Sequence, residues 1–213
     1  MSDGRIRRNW PMAMQEQIRH LRDQLTIRIY GDPCLRIPGE EVKVFDKNLE
    51  SLCWAMLGIM DRAGGVGLAA QQVGLKSRIC IIDTSCQWDQ QTLAELDSKN
   101  LLCVNKGDLP FPLFLINAKV VNQSDELQEL SEGCLSGPGI YANVRRYQWV
   151  EVSYQDCQGF FHQIRADGLL GQCLQHEIDH NNGIFFTDPE RLSPADREKV
   201  QPLLDELANQ QPV

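Results

Sequence analysis

A chain of 213 residues with 42% hydrophobic and 23% charged side chains has the apolar content for a buried core and the length for one domain with at most an appendage, which excludes a disordered or fibrous protein. Its formal net charge of -8 argues against general attraction to anionic membranes or nucleic acid, so no direct nucleic-acid readout is expected. No apolar run reaches the roughly 18 residues that suggest a membrane span.

The start, MSDGRIRRNW, is basic, yet no apolar stretch follows it as a secretory signal requires. Arg5, Arg7 and Arg8 keep an organellar transit peptide open, against the acidic Asp3, Glu16 and Asp23. Eight cysteines (34, 53, 80, 86, 103, 134, 157 and 173) are scattered without a Cys-x-x-Cys pair, in a chain too long to need disulfide staples. We therefore expect a reducing, cytoplasmic compartment, most thiols acting as small buried hydrophobes and at most one as a ligand.

In chain order, Met14, Ile18, Leu21 and Leu25 recur at helical steps and predict a short amphipathic helix, the body of an N-terminal extension over residues 1–24. LTIRIYGDPCLRI then alternates apolar and polar residues up to a turn, which predicts a strand near Leu25 to Tyr30. NLESLCWAMLGIMDRAGG carries Leu49, Leu52, Cys53, Met56, Leu57 and Met60 on one face and predicts a helix that Gly64 stops. SRICIID reads as a buried strand. From Thr84 to Pro112 the pattern dissolves into a long inserted connection, residues 84–112.

Strand character returns in LFLINAKVV, QWVEVSYQD and FFHQIRAD, the last two joined by a hairpin turn at Asp156 to Gly159. The helix within LLGQCLQHEIDHNNGIFF follows, and LANQQPV (207–213) is expected to fray. The fold class is α+β, mostly antiparallel sheet packed around that helix, with residues 25–213 forming a single domain.

The chemistry concentrates in HEIDH. His176 and His180 lie four apart, so on a helix both imidazoles leave the same face and can grip one cation. Glu177 beside them can take a proton from water without joining the ligands. Only four histidines exist, and His20 and His162 are expected to be solvated or satisfied in the core. Two imidazoles leave a catalytic ion short of a third protein ligand. Gly183 matches the glycine of the extended His-Glu-x-x-His-x-x-Gly-x-x-His pattern, but position 186 is Phe; Glu198 or Glu206 lies downstream; Cys134, in the glycine-rich stretch ELSEGCLSGPGIY, lies upstream. Spacing alone leaves these open.

Three stretches in this order, GVGLAAQQ (Gly65 to Gln72), EGCLS (Glu132 to Ser136) and QHEIDH (Gln175 to His180), resemble the three motifs of the peptide deformylases. The resemblance implies the deformylase fold and removal of the N-terminal formyl group from N-formylmethionyl nascent peptides, with release of formate. It implies a metal held by Cys134, His176 and His180, natively ferrous iron, with zinc, nickel or cobalt as replacements. It assigns Glu177 as general base and the Gln72 side-chain amide with the Leu135 backbone N–H as donors to the developing oxyanion. Gly65, Gly67 and Gly133 would let an extended peptide lie alongside. Val66, Tyr141, Leu169, Gln172 and Cys173 would line a slot for the methionine side chain; Gln172 stands where relatives more often carry an apolar residue. Arg146 would pair with Glu132, Asp179 would accept hydrogen bonds away from the metal, and Gln175 would support the turn that bears Cys134. The 84–112 connection lies outside this resemblance, and its length, more than a strand connection needs, suggests a partner contact, with the ribosome near the exit tunnel as the expected partner. The rival readings are a zinc-dependent peptidase whose third ligand follows His180, and a deformylase-like protein that only binds its partners.

Overall fold

The computed structural model describes residues 11–84 and 111–209. Helix α1 (Met12–Gln24) packs on helix α2 (Lys47–Arg62) and buries Ile18 against it. Asp46 starts α2 by accepting hydrogen bonds from the Asn48 and Leu49 N–H groups, and Gly64, at φ 72°, ends it as its sequence position predicts.

Five strands form one antiparallel sheet in the order β1 (Gly67–Ala69), β2 (Ile79–Ile82), β3 (Leu113–Gln123), β6 (Trp149–Gln155) and β7 (Phe161–Asp167). Both of its faces are covered. Ile79, Ile81 and Ile116 face α2, whereas Cys80, Ile82, Leu115, Val152 and Ile164 face helix α3 (Gly168–Asn181). A strand buried on both sides reads as a continuous apolar run rather than an alternating one, which is why Ile79–Ile82 is ICII. Strand β3 breaks register between Ile116 and Lys119, where Asn117 takes φ 55° and its side chain bonds Val42 on both its N–H and C=O.

The strand expected near Leu25 to Tyr30 does not form. That segment is extended, but its bonds go in two directions: the Arg28 N–H donates to Gln72 C=O at 2.7 Å and the Tyr30 N–H to Ser136 C=O at 2.7 Å. It laces two functional stretches together and has no single partner strand to make a ladder.

A second sheet has two strands, β4 (Leu127–Cys134) and β5 (Gly137–Tyr147). Its inner face carries Ile140, Ala142 and Val144, packed on Phe185, Phe186 and helix α4 (Pro194–Asn209). Helix α4 runs through Leu207, which packs on this cluster, so residues 207–209 are helical; residues 210–213 and 85–110 lie outside the described part. No described helix is long and apolar enough to cross a membrane.

Candidate metal centre

The geometry that matters is delivered by two elements that face each other, α3 and the β4–β5 hairpin. On α3, the four-residue spacing brings the His176 and His180 rings to 5.0 Å between centroids. From the opposite side, the tight β4–β5 hairpin ends β4 at Cys134, after a register shift between Gly133 and Cys134. The Cys134 Sγ lies 3.3 Å from His180 Nε2, and the ligand atoms of Cys134, His176 and His180 all fall within 4.8 Å of one another. No other such group of His, Cys, Asp or Glu occurs among the described residues; neither Glu198 nor Glu206 joins it.

These donors fit a metal ion. With metal–sulfur near 2.3 Å and metal–nitrogen near 2.0–2.1 Å, tetrahedral donors of these types sit about 3.5 Å apart, close to the spacing of Cys134 and His180. Three protein donors leave a fourth position, the arrangement of catalytic rather than structural sites. Burial alone would depress the basicity of His176, but the Cys134 thiol and Glu132 carboxylate beside it outweigh burial and push it well above the usual range, so an ion bound here must displace a proton from that ring. Burial, then His176 and Arg146, drive His180 well below that range, so it stays neutral as a ligand must.

Glu132 positions the first of these rings. His176 Nδ1 and Glu132 Oε2 are 2.9 Å apart, an arrangement that fixes the tautomer and turns the other ring nitrogen toward Cys134. Arg146 donates to both oxygens of Glu132 at 2.7 and 2.8 Å. Burial raises the Glu132 carboxyl, yet Arg146 and His176 overcome this and hold it down at about 2. The predicted Arg146–Glu132 pair is therefore present, and both residues are buried, so it is not a weak surface contact. Asp179 is not among the grouped ligand atoms and accepts from Arg146 at 2.5 Å and Arg191 at 2.6 Å, as expected. Gln175 departs from expectation: its amide clamps the N–H and C=O of Tyr147 at the far end of β5 rather than the Cys134 turn. His20 and His162 are exposed and bond Gln24 and Asp156.

Glu177 is fully enclosed. One of its oxygens, Oε2, has no hydrogen-bond partner among the described residues, and burial pushes its carboxyl up to about 7. A carboxyl tuned near neutrality, with one oxygen unbonded, is suited to accept and return a proton. It lies against Gly67, where a side-chain carbon would collide with the carboxylate. Gln72, also buried, accepts the Ala69 N–H through its oxygen at 2.8 Å, which aims its Nε2 at Cys134 Sγ and Ser136 Oγ, both at 3.3 Å.

A cavity of about 700 Å³ opens over these groups. Its floor includes Cys134, His176, Glu177 and Gln72, while His180 is buried behind it. Gly65, Val66 and Gly67 form one wall and Gly133 with Leu135 another; a side chain on Gly65 would strike Leu135, 2.7 Å away. Leu169, Gln172 and Cys173 line the helix side, and Tyr141 stands exposed at the mouth. The Gln172 amide does not hang free in the cavity: its Nε2 donates to Ser131 C=O at 3.0 Å. Sequence reasoning missed Ile27, Ile29 and Ile140 in the wall and Ser136 beside Gln72. The alternating LTIRIY was the available signal for the first two; Arg191, far downstream, had none.

Residues 24–198 match the family model described as polypeptide deformylase. A peptide deformylase of Opitutus terrae is 39% identical over 169 residues, covering 77% of this chain and 84% of that protein. One from Chloroflexus aggregans is 42% identical over 155 residues, covering 72% and 78%. Among solved structures, a Plasmodium falciparum peptide deformylase superposes with TM-score 0.73 at 34% identity, covering 86% of this chain and 95% of that one. A Synechococcus elongatus peptide deformylase in complex with actinonin gives TM-score 0.69 at 35% identity, covering 87% and 86%.

Proposed function

The chain belongs to the peptide deformylase family, and from that premise we propose how its own residues remove the formyl group from the N-terminal formylmethionine of newly made polypeptides. The observation that carries the reading is the meeting of Cys134, His176 and His180 beside the Glu177 carboxylate, whose Oε2 has no hydrogen-bond partner among the described residues, at the floor of an open cavity. The family is metal-dependent, and a dication held by those three residues supplies Lewis acidity and makes water more acidic.

Each remaining step falls to the protein. The substrate backbone lies as an added strand between the Gly65–Gly67 wall and the β4 edge at Gly133, and its methionine side chain enters the slot of Val66, Leu169, Gln172, Cys173 and Tyr141. Glu177 accepts a proton from the attacking water as its oxygen bonds to the formyl carbon. The former carbonyl oxygen gains negative charge, and the Gln72 Nε2–H with the Leu135 N–H stabilise it. Glu177 then delivers the proton to the departing nitrogen as the C–N bond breaks, which leaves formate and a free amino terminus. One carboxylate suffices because it both takes and returns the proton.

We assign ferrous iron as the metal, with zinc, nickel or cobalt able to replace it, since a mixed thiolate and imidazole set accepts any of these. Residues 25–213 act as one catalytic domain and 1–24 as its extension. The substrate is met in the cytoplasm as it leaves the ribosome, which makes a surface near the exit tunnel the partner we propose. Formate release from formyl-Met-Ala-Ser by anaerobically prepared protein tests the reading. Iron-loaded protein should lose activity in air while nickel-loaded protein keeps it. Cleavage of internal peptide bonds without formate would favour the peptidase instead.

A further inference from the structure

Behind His176 runs an unbroken line of charged side chains. Its Nδ1 meets Glu132 at 2.9 Å, Arg146 donates to Glu132 at 2.7 and 2.8 Å and to Asp179 at 2.5 Å, and Arg191 donates to Asp179 at 2.6 Å. Two guanidiniums face two carboxylates, so the line is balanced only while Arg191 is in place. Its inner members are sealed: the Arg146, Glu132 and Asp179 side chains are 0, 3 and 8% exposed, whereas that of Arg191 is 25% exposed.

A buried carboxylate that loses one of its cations is drawn to whichever cation is left, because an unpaired buried charge is strongly unfavourable. Arg146 is the other cation touching Asp179. Without Arg191, Asp179 and Glu132 would compete for that single guanidinium. A shift of Arg146 toward Asp179 loosens Glu132, the group that orients His176. The Arg191 backbone is held independently, since its C=O accepts from the Arg145 N–H at 2.8 Å and Leu192 bridges to Val144. Removing the side chain therefore leaves the segment anchored to the strand that carries Arg146.

We propose that Arg191 is a positioning residue for the metal centre: by holding Asp179 it keeps Arg146 on Glu132, and so keeps His176 aimed at the metal. The proposal deepens the function above and rests on its reading of Cys134, His176 and His180 as the residues that hold the ion.

The test compares the full-length wild type with Arg191→Gln and Arg191→Lys. Zinc affinity is measured by competition with a chromogenic chelator, and the cobalt-loaded proteins are compared by their visible absorption. Arg191→Gln should bind zinc about tenfold to a hundredfold more weakly, with an altered cobalt spectrum and an unchanged KM for formyl-Met-Ala-Ser; Arg191→Lys should fall between. A merely structural role would lower the melting temperature and leave affinity and spectrum of the folded protein as they were. Wild-type affinity and spectrum in folded Arg191→Gln would overturn the inference alone. If that variant does not fold, Arg191→Lys decides by the same criterion. A wild type that binds no metal would overturn the inference together with the reading beneath it.

Discussion

Gly67 shows how little room the chemistry has. Its missing side chain is the space the Glu177 carboxylate occupies, so a methyl group there displaces the oxygen to which we assign the proton transfer. Displacements of about 1 Å can cost a hundredfold in rate. Gly67→Ala is expected to lower kcat for formate release by about that factor while metal content stays at the wild-type level; unchanged kcat would mean that Glu177 is not where it must act. At this scale the sequence was legible for residues inside the three motifs and blind to those that act across long distances. Ser136 and Ile140 stand in or beside the EGCLS stretch, yet their roles depend on Gln72 and the cavity wall, which spacing does not reveal. Gln175 was assigned to the wrong end of its hairpin for the same reason.

Among the elements, those with a single clear period were readable and those with conflicting demands were not. Helix α2 and strand β2 follow their apolar patterns closely. Strand β5 hides because its inward row of Ile140, Ala142 and Val144 continues into Arg146, a charged residue at a core position. Helix α4 hides behind the internal Pro202, which normally argues against a helix. The predicted β6–β7 hairpin formed at its Asp156–Gly159 turn, with Gly159 at φ 86°. Burial raises the Asp156 carboxyl there, but His162 and the Phe160 and Gln158 N–H groups prevail and hold it below its usual value. A folded-state value below the unfolded one adds stability above the ordinary carboxylate range, and that stability is lost as pH falls through the folded value. Asp156→Asn should therefore cost about 1 kcal/mol at neutral pH. The gap to wild type in thermal unfolding should close below a pH of about 4; a gap that persists at lower pH would contradict this account of the turn.

For the whole molecule, the fold serves to bring three sequence-distant stretches to one point. The antiparallel sheet fixes β1 and the turn after it, α3 lies on that sheet, and the hairpin closes over α3 with Cys134 at its tip. The extended residues 25–30 tie the Gln72 turn to the hairpin turn, a job that no strand pairing could do. The α+β class and the order of the motifs were readable from the chain; the second sheet that carries Cys134 emerged only from the structure, because its buried positions include the charged Glu132 and Arg146. The long connection at 84–112 lies almost wholly outside the described residues, and its proposed partner contact with it. The most direct measurement is metal content and formate release of anaerobically purified wild type, Cys134→Ala and Glu177→Ala. Wild type should carry metal and release formate, Cys134→Ala should lose both, and Glu177→Ala should keep the metal while its rate drops about 10²–10⁴-fold. A Cys134→Ala protein that retains metal and activity would contradict the account.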